Sequence, residues 1–131
     1  METTIRPFLM FEGNAQEAID LYLSLFPNSE VIDIIRYGAG QAGPEGTIQK
    51  AVFRLGDQTV LCTDSFIQHA FTFTPSFSFF VECAALEELT HLFSQLSHSG
   101  NVLMPLADYG FSRSFAWVSD RFGVSWQLNL A

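Results

Sequence analysis

The chain of 131 residues is long enough for one domain, or for two small halves sharing a core, and its 48% hydrophobic content with 14 phenylalanines excludes a disordered chain. Its formal net charge of −8 includes only six Lys and Arg, scattered from Arg6 to Arg121, so it lacks the basic patch that nucleic-acid binding requires. No apolar run reaches the roughly 18 residues of a membrane span, and no basic and apolar leader opens the chain. Cys62 and Cys83 have neither a paired metal-site spacing nor the density of a disulfide framework. The expectation is a soluble, cytoplasmic protein that engages neither nucleic acid nor membrane.

In chain order, residues 5–11 form an apolar run of strand length, with Pro7 placing it at a sheet edge or at the start of the strand. Asn14 and Glu17 have the spacing of a capping box. Ala15, Ala18, Ile19, Tyr22, Leu25 and Phe26 then recur at helical spacing until Pro27 and Asn28 end the run. Residues 31–37 are β-branched enough for a strand. After a glycine-rich loop, residues 47–55 and 58–64 make a hairpin that turns at Gly56 and Asp57, and residues 65–75 show neither period and read as a loop.

A second round begins over 76–83, with a strand Ser76-Phe-Ser-Phe-Phe-Val81 and then a helix whose Leu86, Leu89, Leu92, Phe93 and Leu96 mark one face. That helix closes at Ser99 and Gly100, with Gly100 as the residue after the cap. A strand over 102–106, a loop over 107–111 and a closing hairpin complete the round, the hairpin turning at Asp120 to Gly123. In its last arm Val124, Trp126, Leu128 and Leu130 alternate with Ser125, Gln127 and Asn129, which gives one apolar and one polar face.

The order strand, helix, strand, strand, strand thus occurs twice, at a period of roughly seventy residues. The fold class that follows is α+β: two tandem βαβββ modules, about 1–70 and 71–131, forming a single domain over 1–131. Two such sheets side by side make a cup-shaped, half-open mixed β-sheet barrel with one helix covering each module, and the concave side is a natural pocket. With the Trp126 face packed under a helix, Gln127 turns into the cup, where a buried amide needs hydrogen-bond partners. Trp117 is either a stacking wall for a ligand or a core residue, because register is not set by sequence. Arg36, Asp108, Tyr109 and Arg113 are candidate rim groups on or beside loops.

Gly38, Gly40 and Gly43 spell the glycine fingerprint of a dinucleotide or adenosyl-methionine site, with Asp64 downstream. That fingerprint must open a helix, whose free N–H groups hold the phosphates. Pro44 and Gly46 make a poor helix start, so a mobile loop at the pocket mouth is the expectation.

The repeat and several local stretches resemble the vicinal oxygen chelate superfamily, the glyoxalase, bleomycin-resistance and extradiol-dioxygenase fold. The stretches are Phe8-Leu-Met-Phe-Glu-Gly-Asn-Ala-Gln-Glu-Ala18 before Phe26-Pro27, Gly56-Asp-Gln through Asp64, Gly100-Asn-Val-Leu-Met-Pro105 and Asp120-Arg-Phe-Gly-Val-Ser-Trp-Gln-Leu128. Within the superfamily the chain is similar to the PhnB-like branch, often labelled 3-demethylubiquinone-9 3-methyltransferase. The resemblance implies a homodimer, and in metal-dependent relatives it implies a histidine on the first strand of each module and a carboxylate on the last.

Here the first strands offer Arg6-Pro7-Phe8 and Ser76-Phe77-Ser78, without an imidazole. The ligand-like positions on the last strands fall near Cys62, Asp64 and Gln127, and His69, His91 and His98 lie in a loop or on the second helix. Cys62 lacks a nearby cation to make it a nucleophile, and Asp64 acts in the opposite direction. The functional expectation is therefore a module that binds a small organic ligand in an aromatic-lined cavity, with Cys62, Asp64, Trp117 and Gln127 lining it and Arg36, Tyr109 and Arg113 at its rim. No metal ligand set and no cofactor are assigned. A divalent-metal lyase, isomerase or dioxygenase is the alternative, and a methyltransferase the third.

Overall fold

The computed structural model describes residues 2–131. The chain divides into two compact units, 1–69 and 70–131, each a βαβββ module. The first holds β1 (Phe8–Phe11), α1 (Ala15–Leu25), β2 (Ser29–Arg36), β3 (Ile48–Leu55) and β4 (Gln58–Asp64). The second holds β5 (Ser78–Glu82), α2 (Leu86–Ser97), β6 (Asn101–Ala107), β7 (Ser114–Ser119) and β8 (Ser125–Leu130). Each module forms an open, four-stranded mixed sheet, in the orders β1-β4-β3-β2 and β5-β8-β7-β6. In both, the first strand pairs in parallel with the last, and the other pairs are antiparallel. Pro7 precedes the edge strand β1, where its missing N–H interrupts no ladder. Among the described residues no helix is long and apolar enough to cross a membrane.

Each helix covers one face of its own sheet. In the first unit α1 buries Ala15, Ala18, Ile19 and Tyr22 against β3 and β4, whose Ala51, Phe53, Val60 and Cys62 are fully buried. In the second, Leu89, Leu92 and Leu96 of α2 are buried over β7 and β8, where Ala116, Val118, Trp126 and Leu128 form the apolar face. The ring of Phe79 on β5 extends that layer, its centroid 4.9 Å from that of Trp126.

Two helix boundaries differ from the sequence expectation. Asn14 stands at the N-cap of α1, but its side chain makes no capping hydrogen bond. The parallel pairing of Phe11 with Asp64 brings the Asp64 carboxylate to the helix start instead, where Oδ1 accepts the N–H groups of Gly13 (3.0 Å) and Ala15 (2.9 Å). A carboxylate from a distant strand both satisfies the orphan donors and opposes the positive end of the helix dipole. The start of α2 is served locally, by Glu88 Oε1 accepting the Ala84 N–H at 2.8 Å.

At the end of α2 the left-handed residue is Ser99 (φ 59°), and Gly100 lies outside that region. Gly100 is needed for space. A Cβ there would stand 2.1 Å from the Ser119 carbonyl oxygen and 2.9 Å from the Asp120 carbonyl carbon. Because both obstacles are backbone atoms, Gly100→Ala should lower stability by about 1–3 kcal/mol, as overpacking does. A thermal midpoint equal to that of the parent would contradict this tight approach.

Candidate functional site

The register of the second sheet decides which side chains can meet on the face turned away from α2. Residues paired across strands share a face. Phe80, Gln127, Trp117 and Met104 therefore form one row across β5, β8, β7 and β6, and Ser78 and Ser125 form part of the next. Trp126, one residue from Gln127, is on the opposite face beneath α2.

Trp117 and Gln127 are held by hydrogen bonds as well as by the backbone. Trp117 Nε1 donates to Ser125 Oγ at 2.8 Å, Ser125 Oγ and Ser78 Oγ share a hydrogen bond of 2.6 Å, and Gln127 Nε2 donates to Ser78 Oγ at 3.3 Å. An indole N–H is only a donor, so Ser125 must accept from it. Both large side chains are half-buried, while Ser125 is buried. Further along the same face Asn129 Nδ2 donates to Glu82 Oε1 at 2.7 Å, and Asn129 Oδ1 accepts from Ser112.

An aromatic cluster adjoins this row. Phe115, paired with Asn129 and buried, has its ring 6.3 Å from Phe80, 5.0 Å from Phe111 and 6.1 Å from Tyr109. Phe80 and Phe111 are 55% and 62% exposed, so the cluster presents ring surface outward. The loop after β6 positions two of these rings through the Tyr109 hydroxyl, which donates to the Pro105 carbonyl at 2.5 Å.

The four residues expected to line one cavity are divided by the register. Trp117 and Gln127 are neighbours on the face away from α2. Cys62 and Asp64 lie on the other kind of face, beneath α1, since the Asp64 side chain reaches the first residue of that helix and Cys62 alternates with it. Both oxygens of Asp64 accept backbone amides, Oδ2 receiving the Ile48 N–H at 2.9 Å. On the first sheet the position matching Gln127 is Thr63, paired with Met10 as Gln127 is with Phe80, and its hydroxyl donates to the Gln49 carbonyl at 2.7 Å.

The rim candidates have local partners. Arg36 donates to the Gly46 carbonyl (3.2 Å) and to Gln16 Oε1 (2.5 Å), Asp108 accepts the Gly110 N–H (2.8 Å), and Arg113 Nε donates to the Ala131 carbonyl (2.7 Å).

Burial pushes the Cys62 thiol up to about 12, with the Asp64 charge adding to it. Burial also raises Cys83 to about 11, helped by Glu88. Both groups bind their proton more tightly when folded, so the stability linked to them is complete below their unfolded value near 9 and is lost as the pH rises towards 11 and 12. At pH 8 a disulfide reagent should therefore modify Cys62 in native protein no faster than the chain opens, and quickly in urea. Rapid stoichiometric labelling of native Cys62 would refute its burial.

A hollow of about 300 Å³ in the first unit was not foreseen from the sequence. It opens between the β1–α1 turn, the β2–β3 loop and the segment after β4, with Glu12, Thr47, Ser65 and Phe66 in its wall. No periodic pattern marks such a place, because three loops build it. Ser65 Oγ there is 2.9 Å from His69 Nε2, and also bonds the backbone of Ile67.

The residues do not fit the groups that a family resemblance brings with it. Among the described residues no three His, Cys, Asp or Glu side chains gather to hold a metal ion. The Gly38–Gly43 segment opens no helix: β3 follows at Ile48, and the loop is stitched by Tyr37 N–H to the Thr47 carbonyl (2.9 Å) and Gly46 N–H to the Tyr37 carbonyl (2.9 Å). Gly43 is packed so closely on Tyr37 that a Cβ would lie 2.5 Å from the ring. The loop is closed at its stem by these bonds, and it presents no helix N-terminus to a dinucleotide or to adenosyl-methionine.

The chain is similar to known proteins in sequence and fold. The family model described as 3-demethylubiquinone-9 3-methyltransferase matches residues 3–129. A PhnB protein from Bacillus cereus is 48% identical, with a TM-score of 0.95 over 98% of this chain and 100% of that one. Protein YjdN of Escherichia coli is 23% identical over 96% of this chain and 94% of its own length. The fosfomycin resistance protein FosX of Listeria monocytogenes, 10% identical with a TM-score of 0.61 over 100% of this chain and 94% of that one, shares the fold.

Proposed function

The chain belongs to the 3-demethylubiquinone-9 3-methyltransferase family, and from that premise we propose that it is a binding module for a small organic molecule. The ligand lies on the face of the second sheet turned away from α2. The observation that carries this reading is the pair Trp117 and Gln127, directly opposite each other on β7 and β8 and fixed through Ser125 and Ser78. An indole and an amide locked side by side next to exposed phenylalanine rings are suited to orienting a partly apolar molecule by one or two polar groups. The family description names a methyl transfer, but the loop of Gly38, Gly40 and Gly43 gives that reaction no support.

The test is a thermal melt of chelator-treated protein against a panel of small organic molecules and, separately, against zinc, nickel, manganese and iron(II). A ligand at a hundred times its Kd adds about 2.7 kcal/mol to the folded state, which raises the midpoint by several degrees in a chain of this size. Stabilisation by an organic molecule, reduced in Trp117→Ala, is the expected result. A rise with a metal ion that disappears in Gln127→Leu would replace this reading with a metal-dependent enzyme.

A further inference from the structure

The hydrogen-bond inventory of the Trp117–Gln127 row narrows the chemistry of what it takes, an inference that rests on the binding function proposed above. Trp117 Nε1–H is engaged by Ser125, and one of the two N–H groups of Gln127 Nε2 is engaged by Ser78. The two serine hydroxyls are engaged with each other. Gln127 Oε1 and the second N–H of Nε2 then remain on a half-buried side chain, in the row that also holds Phe80 and Trp117.

The acceptor of such an amide is satisfied only by a partner that brings a hydrogen; a hydroxyl can meet both the acceptor and the free N–H, whereas an ether oxygen can meet the N–H alone. The charges on this face are Glu82, which accepts from Asn129, and Arg113, beyond Phe115 and bonded to the Ala131 carbonyl. Neither adjoins Gln127, so the row offers no counter-ion to an anion. The surrounding surface is the outward ring area of Phe80 and Phe111, which favours a flat apolar body.

We propose that this face recognises an uncharged aromatic molecule bearing a hydroxyl or N–H donor, with Gln127 Oε1 as the acceptor of that donor and the Phe80 and Trp117 side chains flanking the ring. The class includes phenols, anilines and indoles.

Calorimetric titration of the whole protein with 2-naphthol, 2-methoxynaphthalene and 2-naphthoate tests it. These probes share one ring system and differ in carrying a donor, an acceptor only, or a negative charge. Naphthol should bind roughly tenfold tighter than the methyl ether, the worth of one hydrogen bond, and tighter than the carboxylate. In Gln127→Leu the naphthol preference over the ether should vanish. The naphthol-to-ether ratio is read first on the unaltered chain, so the test stands even if the variant fails to fold. Equal binding of naphthol and ether, or tightest binding of the carboxylate, overturns the inference. So does a lack of binding by all three while other organic molecules still stabilise the protein, and in that case the broader binding function survives. Failure of every organic molecule removes both.

Discussion

Asp120→Ala is expected to destabilise the protein by about 3–5 kcal/mol, because it strips three donors of one acceptor group, two of them in buried bonds, and each buried donor left unsatisfied costs roughly 1–3 kcal/mol. Asp120 is 3% exposed at the turn of the closing hairpin. Its Oδ1 accepts the N–H groups of Phe122 (2.9 Å) and Val124 (3.0 Å), and its Oδ2 accepts Trp126 Nε1–H at 2.9 Å. One side chain thus shapes the turn and orients the largest residue of the second core. The turn also depends on Gly123, whose φ of 94° suits glycine. Asp120→Asn should lose less, since an amide oxygen can still serve the two backbone donors but its NH2 would face the indole N–H. Urea denaturation gives the measurement: the midpoint should fall in the order parent, Asn, Ala. If the alanine variant lies within experimental error of the parent, the turn must be held by other means.

The second large effect is expected at Asp64. It too is 3% exposed and serves three donors, the amides of Gly13, Ala15 and Ile48. Asp64→Ala should cost about 3–5 kcal/mol by the same count of orphaned donors, including roughly 0.3–1 kcal/mol from the lost charge at the start of α1. The loss should be concentrated in the first unit. Amide exchange of Ala18 and Ile19 should accelerate more than that of Leu92 and Leu96. Because the carboxylate is fully engaged by backbone, Asp64→Asn should also leave the small-molecule binding proposed at Trp117 and Gln127 unchanged. Uniform acceleration across both helices would deny Asp64 its local role, and a binding defect in the asparagine variant would return it to the ligand site.

Much of this architecture was legible in the residues, for identifiable reasons. Repeated element order exposed the two modules, and the alternation of Val124 to Leu130 marked a two-faced strand whose apolar side needed cover. The helices announced themselves through buried residues at helical spacing. Partners distant in sequence were not legible. Asn14 and Glu17 carry the local signature of a capping box, yet Asp64, 49 residues beyond Ala15, does the capping. The faces of Cys62 and Trp117 depended on register, in which a shift of one residue exchanges every side chain between faces. Gly100 read as a conformational glycine, whereas its constraint comes from Ser119, on a strand that pairs with the residue after it in sequence.

The matching registers of the two modules pair Thr63 with Gln127, Leu61 with Ser125, Phe8 with Ser78 and Asp64 with Leu128 by position. The carboxylate that fastens α1 thus has an apolar counterpart in the second half, and the serines that brace Gln127 have apolar counterparts in the first. A duplicated module relaxes the demand that either copy do everything: one half retains the anchoring acid, and the other the braced row of Trp117 and Gln127. Substitutions at matching positions should accordingly be judged by different selection, for folding at Asp64 and, on the binding function proposed above, for ligand choice at Gln127.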